Sequence, residues 1–160
     1  MEGKLYFAYG SNINLDQMAQ RCPEAEVVGP VTLPDHELLF RYSGVATIRP
    51  KKDSVVHGLL WSISPRDERS LDYYEGFPTL YDKQQVEVQD MDGNAIPVMA
   101  YVMTRERSRE PVPPPVFYYQ GIKEGFVQNG LPVEALEQSL RQVWRETRQM
   151  ELNRRNDHER

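Results

Sequence analysis

A chain of 160 residues with 39% hydrophobic and 27% charged side chains is long enough to bury one core, and it has the composition of an ordinary water-soluble domain. Its formal charge of −5 offers no general basic field to nucleic acid or to an acidic membrane, and the single cysteine, Cys22, excludes a disulfide framework. No apolar run approaches the roughly 18 residues of a membrane span and no signal-peptide pattern opens the chain, so the reading is a cytoplasmic protein with no nucleic-acid or membrane partner.

In chain order, Leu5–Tyr9 is short and aromatic, which suits a buried strand. After Gly10, the polar Ser11, Asn12 and Asn14 offer N-cap groups for a helix running to about Arg21 and closed by Pro23. Three β-like stretches follow, at Glu26–Leu33, Glu37–Tyr42 and Val45–Arg49. Val55–Ile63 is the clearest strand, and Gly58 inside it predicts a bulge or the close approach of another backbone. Ser64, Pro65 and Asp67 then announce a helix that Gly76 stops. Tyr81–Gln89 and Ala95–Met103 flank "DMDGN", a hairpin signal, and the proline cluster at 110–116 is extended and stiff. Pro132 opens a last helix with Val133, Leu136, Leu140, Val143 and Trp144 at amphipathic spacing. Six Arg interleave with four Asp/Glu over residues 141–160, a solvated helix face rather than a binding arm. Strands and helices do not alternate regularly. The expected fold class is therefore α+β: a small mixed, mostly antiparallel curved sheet or barrel carrying a few packed helices. One domain over 1–150, with a frayed polar tail over 151–160, is the expected organisation.

Three places carry candidate chemistry. The "YGSN" junction is either a simple capped connection or an anion site, because a strand-to-helix turn leaves N–H groups unpaired. Glu75, in "LDYYEGF", sits where a helix end, the neighbouring Asp72 and flanking Tyr73, Tyr74 and Phe77 would each raise a carboxyl pKa. It is a general-base candidate or a surface acid before a helix stop. Tyr101, on an alternating strand with Met99 and Met103, is a core ring or a ligand-contacting hydroxyl. His36, His57 and His158 lack metal-ligand spacing, and with one cysteine the sequence holds no zinc pattern.

Taken in order, "YFAYGSN", "GVATI", "HGLLW", "LDYYEG", "AYVMT" and "NGLP" resemble the γ-glutamylcyclotransferases from about residue 4 to residue 145. That resemblance implies a small mixed barrel with its cavity at the YGSN loop. It implies an intramolecular acyl transfer in which the α-amine of a γ-glutamyl group attacks its own side-chain carbonyl, closes to 5-oxoproline and expels an amino acid or amine. It implies no metal and no cofactor. Carried over by motif, Glu75 is the base and acid, and Tyr6, Phe7, Ala8, Tyr9, Gly10 and Ser11, with Asn12 beside them, bind the substrate. Tyr101 contacts it as well. The partner is a small γ-glutamyl amino acid or amine, and a homodimer follows from the family alone. A pathway-specific enzyme that removes a γ-glutamyl group, and a catalytically idle member that binds a small acid or a partner protein, are the alternatives. His57, where the family pattern has an aromatic, and the segment 104–119 bear on the leaving group.

Overall fold

The structure is a computed structural model and describes residues 3–158. Five strands close into a barrel in the order β1-β3-β2-β4-β5. The first strand, β1 (Lys4–Ala8), is central and buried from Tyr6 onward, as its aromatic sequence predicts. It runs antiparallel to β3 (Ala46–Ile63) and meets β5 (Ala95–Met103) in parallel at the single pair Tyr6↔Met99. That pair closes the barrel.

The four short strands expected between residues 26 and 63 are two long ones. β2 (Glu26–Phe40) and β3 form one hairpin, in register from Glu26↔Ser62 to Phe40↔Ala46. The prolines and polar residues that look like breaks are absorbed instead by register shifts at Val27/Gly29 and Pro34/His36 and by positive φ at Asp35 and Asp53. The hairpin of β4 (Tyr81–Gln89) and β5 matches the expected bounds.

Gly58 marks a close approach. A Cβ built on it would run into the carbonyl oxygen of Ala8 and the ring of Phe7, which are parts of the core itself. Gly58→Ala should therefore destabilise the fold by about 1–3 kcal/mol, the usual cost of forcing a methyl into a packed interior. Urea unfolding measures it, and an unchanged midpoint would mean that β1 and β3 can part without cost.

Two helices frame the mouth of the barrel. α1 (Leu15–Arg21) is capped by Asn14, whose side chain accepts from the N–H groups of Asp16 and Gln17. α2 (Pro65–Tyr74) has the expected start, a reciprocal Ser64/Asp67 capping box with Pro65 in the first turn. Its end is also as expected, with Glu75 at the C-cap and Gly76 at φ +65° behind it.

The sequence reading assigns no element to α3 (Val116–Gln128). Glycines at 121 and 125 dilute its helical signal, yet they are there for contact. A Cβ on Gly125 would fall 2.7 Å from the Asn14 nitrogen, so this face lies directly on the turn before α1. α4 (Val133–His158) buries Leu136 and Val143, while Trp144 is 53% exposed and does not belong to the packed face. Residues 151–158, expected to fray, continue α4 with all side chains exposed, with polar i,i+4 pairs such as Gln149–Asn153 along the helix. Among the described residues no helix is long and apolar enough to cross a membrane.

Candidate active site

A cavity of about 200 Å³ opens at the barrel mouth, where β1 and α2 both end. Ser11–Ile13 form a 3₁₀ turn, so the junction after β1 is not the start of α1 itself. The amides of Ile13 and Asn14 turn back onto the carbonyls of Gly10 and Ser11, at 3.1 Å each. The N–H groups of Gly10, Ser11 and Asn12 have no acceptor among the described residues. The turn is fastened from below, because the Trp61 indole donates to the Asn12 carbonyl at 3.0 Å and the Asn129 amide donates to that of Ile13. Rigid, unpaired donors at a cavity wall are what an anionic oxygen needs.

Glu75 faces the same cavity from the end of α2. Its carboxylate has no hydrogen-bond partner among the described residues, and it is the one acidic side chain lining the cavity. Burial pushes this carboxyl up to about 7, with the Arg21 guanidinium pulling the other way. The cause differs from the sequence expectation. Asp72 is turned away, paired with Lys83 at 3.0 Å and with the Tyr101 hydroxyl at 2.6 Å. Tyr73 is 92% exposed and desolvates nothing. The residue as a whole keeps some exposure at the helix end, but the carboxyl is enclosed by tyrosines from β1, β4 and α3.

Those tyrosines divide by what their hydroxyls do. Tyr9 donates to the Tyr101 carbonyl and Tyr81 to the Ala46 carbonyl, so both fix the backbone. Tyr6 accepts from the Asn12 side-chain amide and Tyr118 accepts from the Ala46 N–H, each at 2.9 Å. The protons of Tyr6 and Tyr118 have no acceptor among the described residues and remain available to a bound ligand. Burial, and then the negative charge of Glu75, raise the pKa of Tyr6, so it stays a neutral donor; Tyr118 is raised chiefly by burial.

The sequence model described as "Gamma-glutamyl cyclotransferase, AIG2-like" matches residues 6–119. The chain is 33% identical to the γ-glutamylcyclotransferase of Bos taurus over 144 residues, covering 83% of this chain and 75% of that one, and equally to that of Homo sapiens. A solved structure titled "Gamma-glutamyl cyclotransferase" superposes with a TM-score of 0.76 at 32% identity, covering 86% of each chain. The chain belongs to this family. It is an enzyme of the γ-glutamylcyclotransferase type, with the mixed five-stranded barrel of its relatives.

In this cyclotransferase the motif residues separate along β1. Tyr6, Tyr9, Gly10, Ser11 and Asn12 line the cavity, and so do Glu75 and Tyr101. Phe7 and Ala8 do not: they are 0% and 1% exposed in the core, with Phe7 on the strand face opposite to Tyr6. Tyr101 presents its ring to the cavity, edge-on to Tyr6 with centroids 5.8 Å apart, while its hydroxyl is bound to Asp72. Tyr101→Phe should therefore cost about 1 kcal/mol of stability, the worth of one hydrogen bond, and leave KM within a few-fold. A large rise in KM at unchanged stability would put that hydroxyl on the substrate instead. His57 lies on the outer side of the hairpin, away from the cavity.

Sequence reasoning missed Val45, Ala46, Tyr74, Leu80, Tyr81 and Tyr118 as cavity residues. Tyr74 carried a signal as the neighbour of Glu75. Tyr118 carried only its place in the segment 104–119, since its position depends on a helix that its glycines hide. Among the described residues no group of three His, Cys, Asp or Glu is placed to hold a metal ion.

Proposed function

We propose that the protein cyclises a γ-glutamyl group to 5-oxoproline and releases an amino acid or an amine, with Glu75 as the single proton carrier. The observation that carries this reading is an unpartnered, pKa-raised carboxyl in one cavity with three free backbone N–H groups. Anionic oxygens of the glutamyl moiety are received by the N–H groups of Gly10, Ser11 and Asn12. Glu75 takes a proton from the α-ammonium, and the freed amine attacks the γ-carbonyl carbon to form the ring C–N bond. The tetrahedral intermediate collapses with breakage of the original amide C–N bond as the protonated Glu75 gives its proton to the departing nitrogen. The carboxylate so regenerated takes the second proton from the ring nitrogen, leaving the lactam N–H, and passes it to the released amine, which departs as an ammonium. The proton balance closes and no co-reactant is consumed. Near pH 7 a carboxyl with a pKa of about 7 is present in both forms, which suits a group that must act first as base and then as acid. Ring closure is already intramolecular, so the cavity mainly has to fold the γ-glutamyl chain into an attacking shape.

The test is a panel of γ-glutamyl dipeptides and γ-glutamyl amines, read as 5-oxoproline released. Release from at least one member, lowered by about 10²-fold or more in Glu75→Gln, supports the reading. No release from any member by the folded protein would overturn it.

A further inference from the structure

Arg21, the last residue of α1, lines no part of the cavity, yet it touches both of the pieces that make it. One guanidinium nitrogen, Nη1, donates to the Asn12 side-chain oxygen at 2.6 Å and to the Ser11 hydroxyl at 3.3 Å. The other, Nη2, donates to Gln17 at 2.9 Å, which fixes the plane of the group on its own helix. That plane lies over the Tyr74 ring, with Cζ 3.8 Å from the centroid. Tyr74 is the residue before Glu75, and its hydroxyl closes the loop by pairing with the Ser11 hydroxyl at 3.2 Å.

The 3₁₀ turn follows β1 and Glu75 follows α2, so no strand pairing sets the distance between the N–H groups and the carboxyl. Side chains that span the two ends set it instead: the Arg21 fork and the Ser11–Tyr74 hydroxyl pair. Arginine suits the task because its fork reaches two acceptors in one plane while its face stacks on an aromatic ring, which an ammonium cannot do. We infer that Arg21 is the positioning residue of this site, clamping the Gly10–Asn12 turn to the end of α2 that carries Glu75. The inference rests on the proposed role of Glu75, and it assigns to Arg21 no contact with the substrate.

The clamp has an electrostatic side. The ionisable groups around Glu75 are Tyr6 from β1, Tyr9 just after its end, Tyr81 from β4, Tyr118 from α3 and Tyr74 beside it on α2. Burial raises the pKa of Tyr6, Tyr9, Tyr81 and Tyr118 and keeps these phenols neutral, so Arg21 is the charge that acts on the carboxyl and partly offsets its burial.

The experiment compares wild type, Arg21→Met, Arg21→Lys and Glu75→Gln in the full chain. It uses the best substrate of the panel and reads kcat and KM against pH, together with the Glu75 carboxyl midpoint by ¹³C NMR. In Arg21→Met, kcat/KM should fall by about tenfold to a hundredfold, as misplacement of reacting groups costs, and both the acid limb and the NMR midpoint should move to higher pH. In Arg21→Lys the charge remains, so the midpoint should stay near that of wild type, while kcat/KM recovers only in part. A folded Arg21→Met with wild-type kcat/KM and an unmoved midpoint would overturn the inference. If Arg21→Met does not fold, Arg21→Lys decides, and full wild-type kcat/KM there overturns the clamp. Should wild type release no 5-oxoproline at all, the catalytic reading fails by itself, and an NMR midpoint unmoved in Arg21→Met would then count separately against Arg21.

Discussion

Glu75→Gln should lower kcat on a γ-glutamyl substrate by about 10²–10⁴-fold, the contribution of a positioned general base, while KM stays within a few-fold. Glutamine keeps the size of the side chain and removes its ability to carry a proton. In wild type, kcat should climb as the pH is raised through about 7, because the base must be ionised to accept the ammonium proton. That limb should be missing from whatever activity the variant retains. Stability should change in the opposite sense. A carboxyl raised from its ordinary 4.5 to about 7 holds its proton more tightly in the folded chain than in the unfolded one. The contribution of Glu75 to folding stability is therefore fully present below about pH 4.5 and is lost as the pH rises to about 7, by on the order of 2–3 kcal/mol at most for a partly exposed residue. The variant carries no such penalty, so its melting temperature should exceed that of wild type at pH 8 and converge with it near pH 4. Equal kcat in variant and wild type would return Glu75 to an ordinary acid at a helix end.

Gly10→Val should reduce kcat/KM by about 10²-fold, the scale expected when a bound substrate is displaced by about an ångström. The backbone at Gly10, with φ −121°, does not itself demand glycine, so the effect comes from space. A Cβ there would sit 3.3 Å from the Ala46 methyl and 3.4 Å from the Tyr118 hydroxyl, and the two further methyls of valine would occupy the cavity in front of the free N–H groups. Gly10→Ala, which adds only the first carbon, should lose far less. Thermal unfolding of both variants separates this loss from a folding defect, and wild-type kcat/KM in a folded valine variant would remove the N–H groups from the mechanism.

The parts legible in the sequence are those set by local chemistry. The capping box of α2, the glycine stop behind Glu75, the Asp-Gly hairpin and the aromatic strand β1 each rest on contacts a few residues apart, and each stands in the structure. The long β2–β3 hairpin was harder to read because its prolines and turn-forming residues sit at bulges that only the paired strand makes tolerable. In the candidate site, Glu75 and the YGSN turn have local signatures, whereas Ala46, Tyr81 and Tyr118 enter through packing across the barrel. Arg21 reads as an unremarkable helix-terminal cation until the fold stacks it on Tyr74.

Barrel closure at the pair Tyr6↔Met99 has a consequence for how loss of structure and loss of activity relate. Tyr6 and Tyr101, two facing walls of the cavity, stand on the two strands that meet at this seam, while the β2–β3 and β4–β5 hairpins are each held along their whole length. The seam closes the sheet through a single residue pair, a join as narrow as the Thr32↔Gln89 pair between β2 and β4, so partial opening there has a low free-energy cost. Such an opening leaves the helices and both hairpins intact and dismantles the cavity that Glu75 faces. Activity is therefore a more sensitive gauge of this fold than circular dichroism, and under mild denaturant it should vanish while the spectrum of the native protein persists.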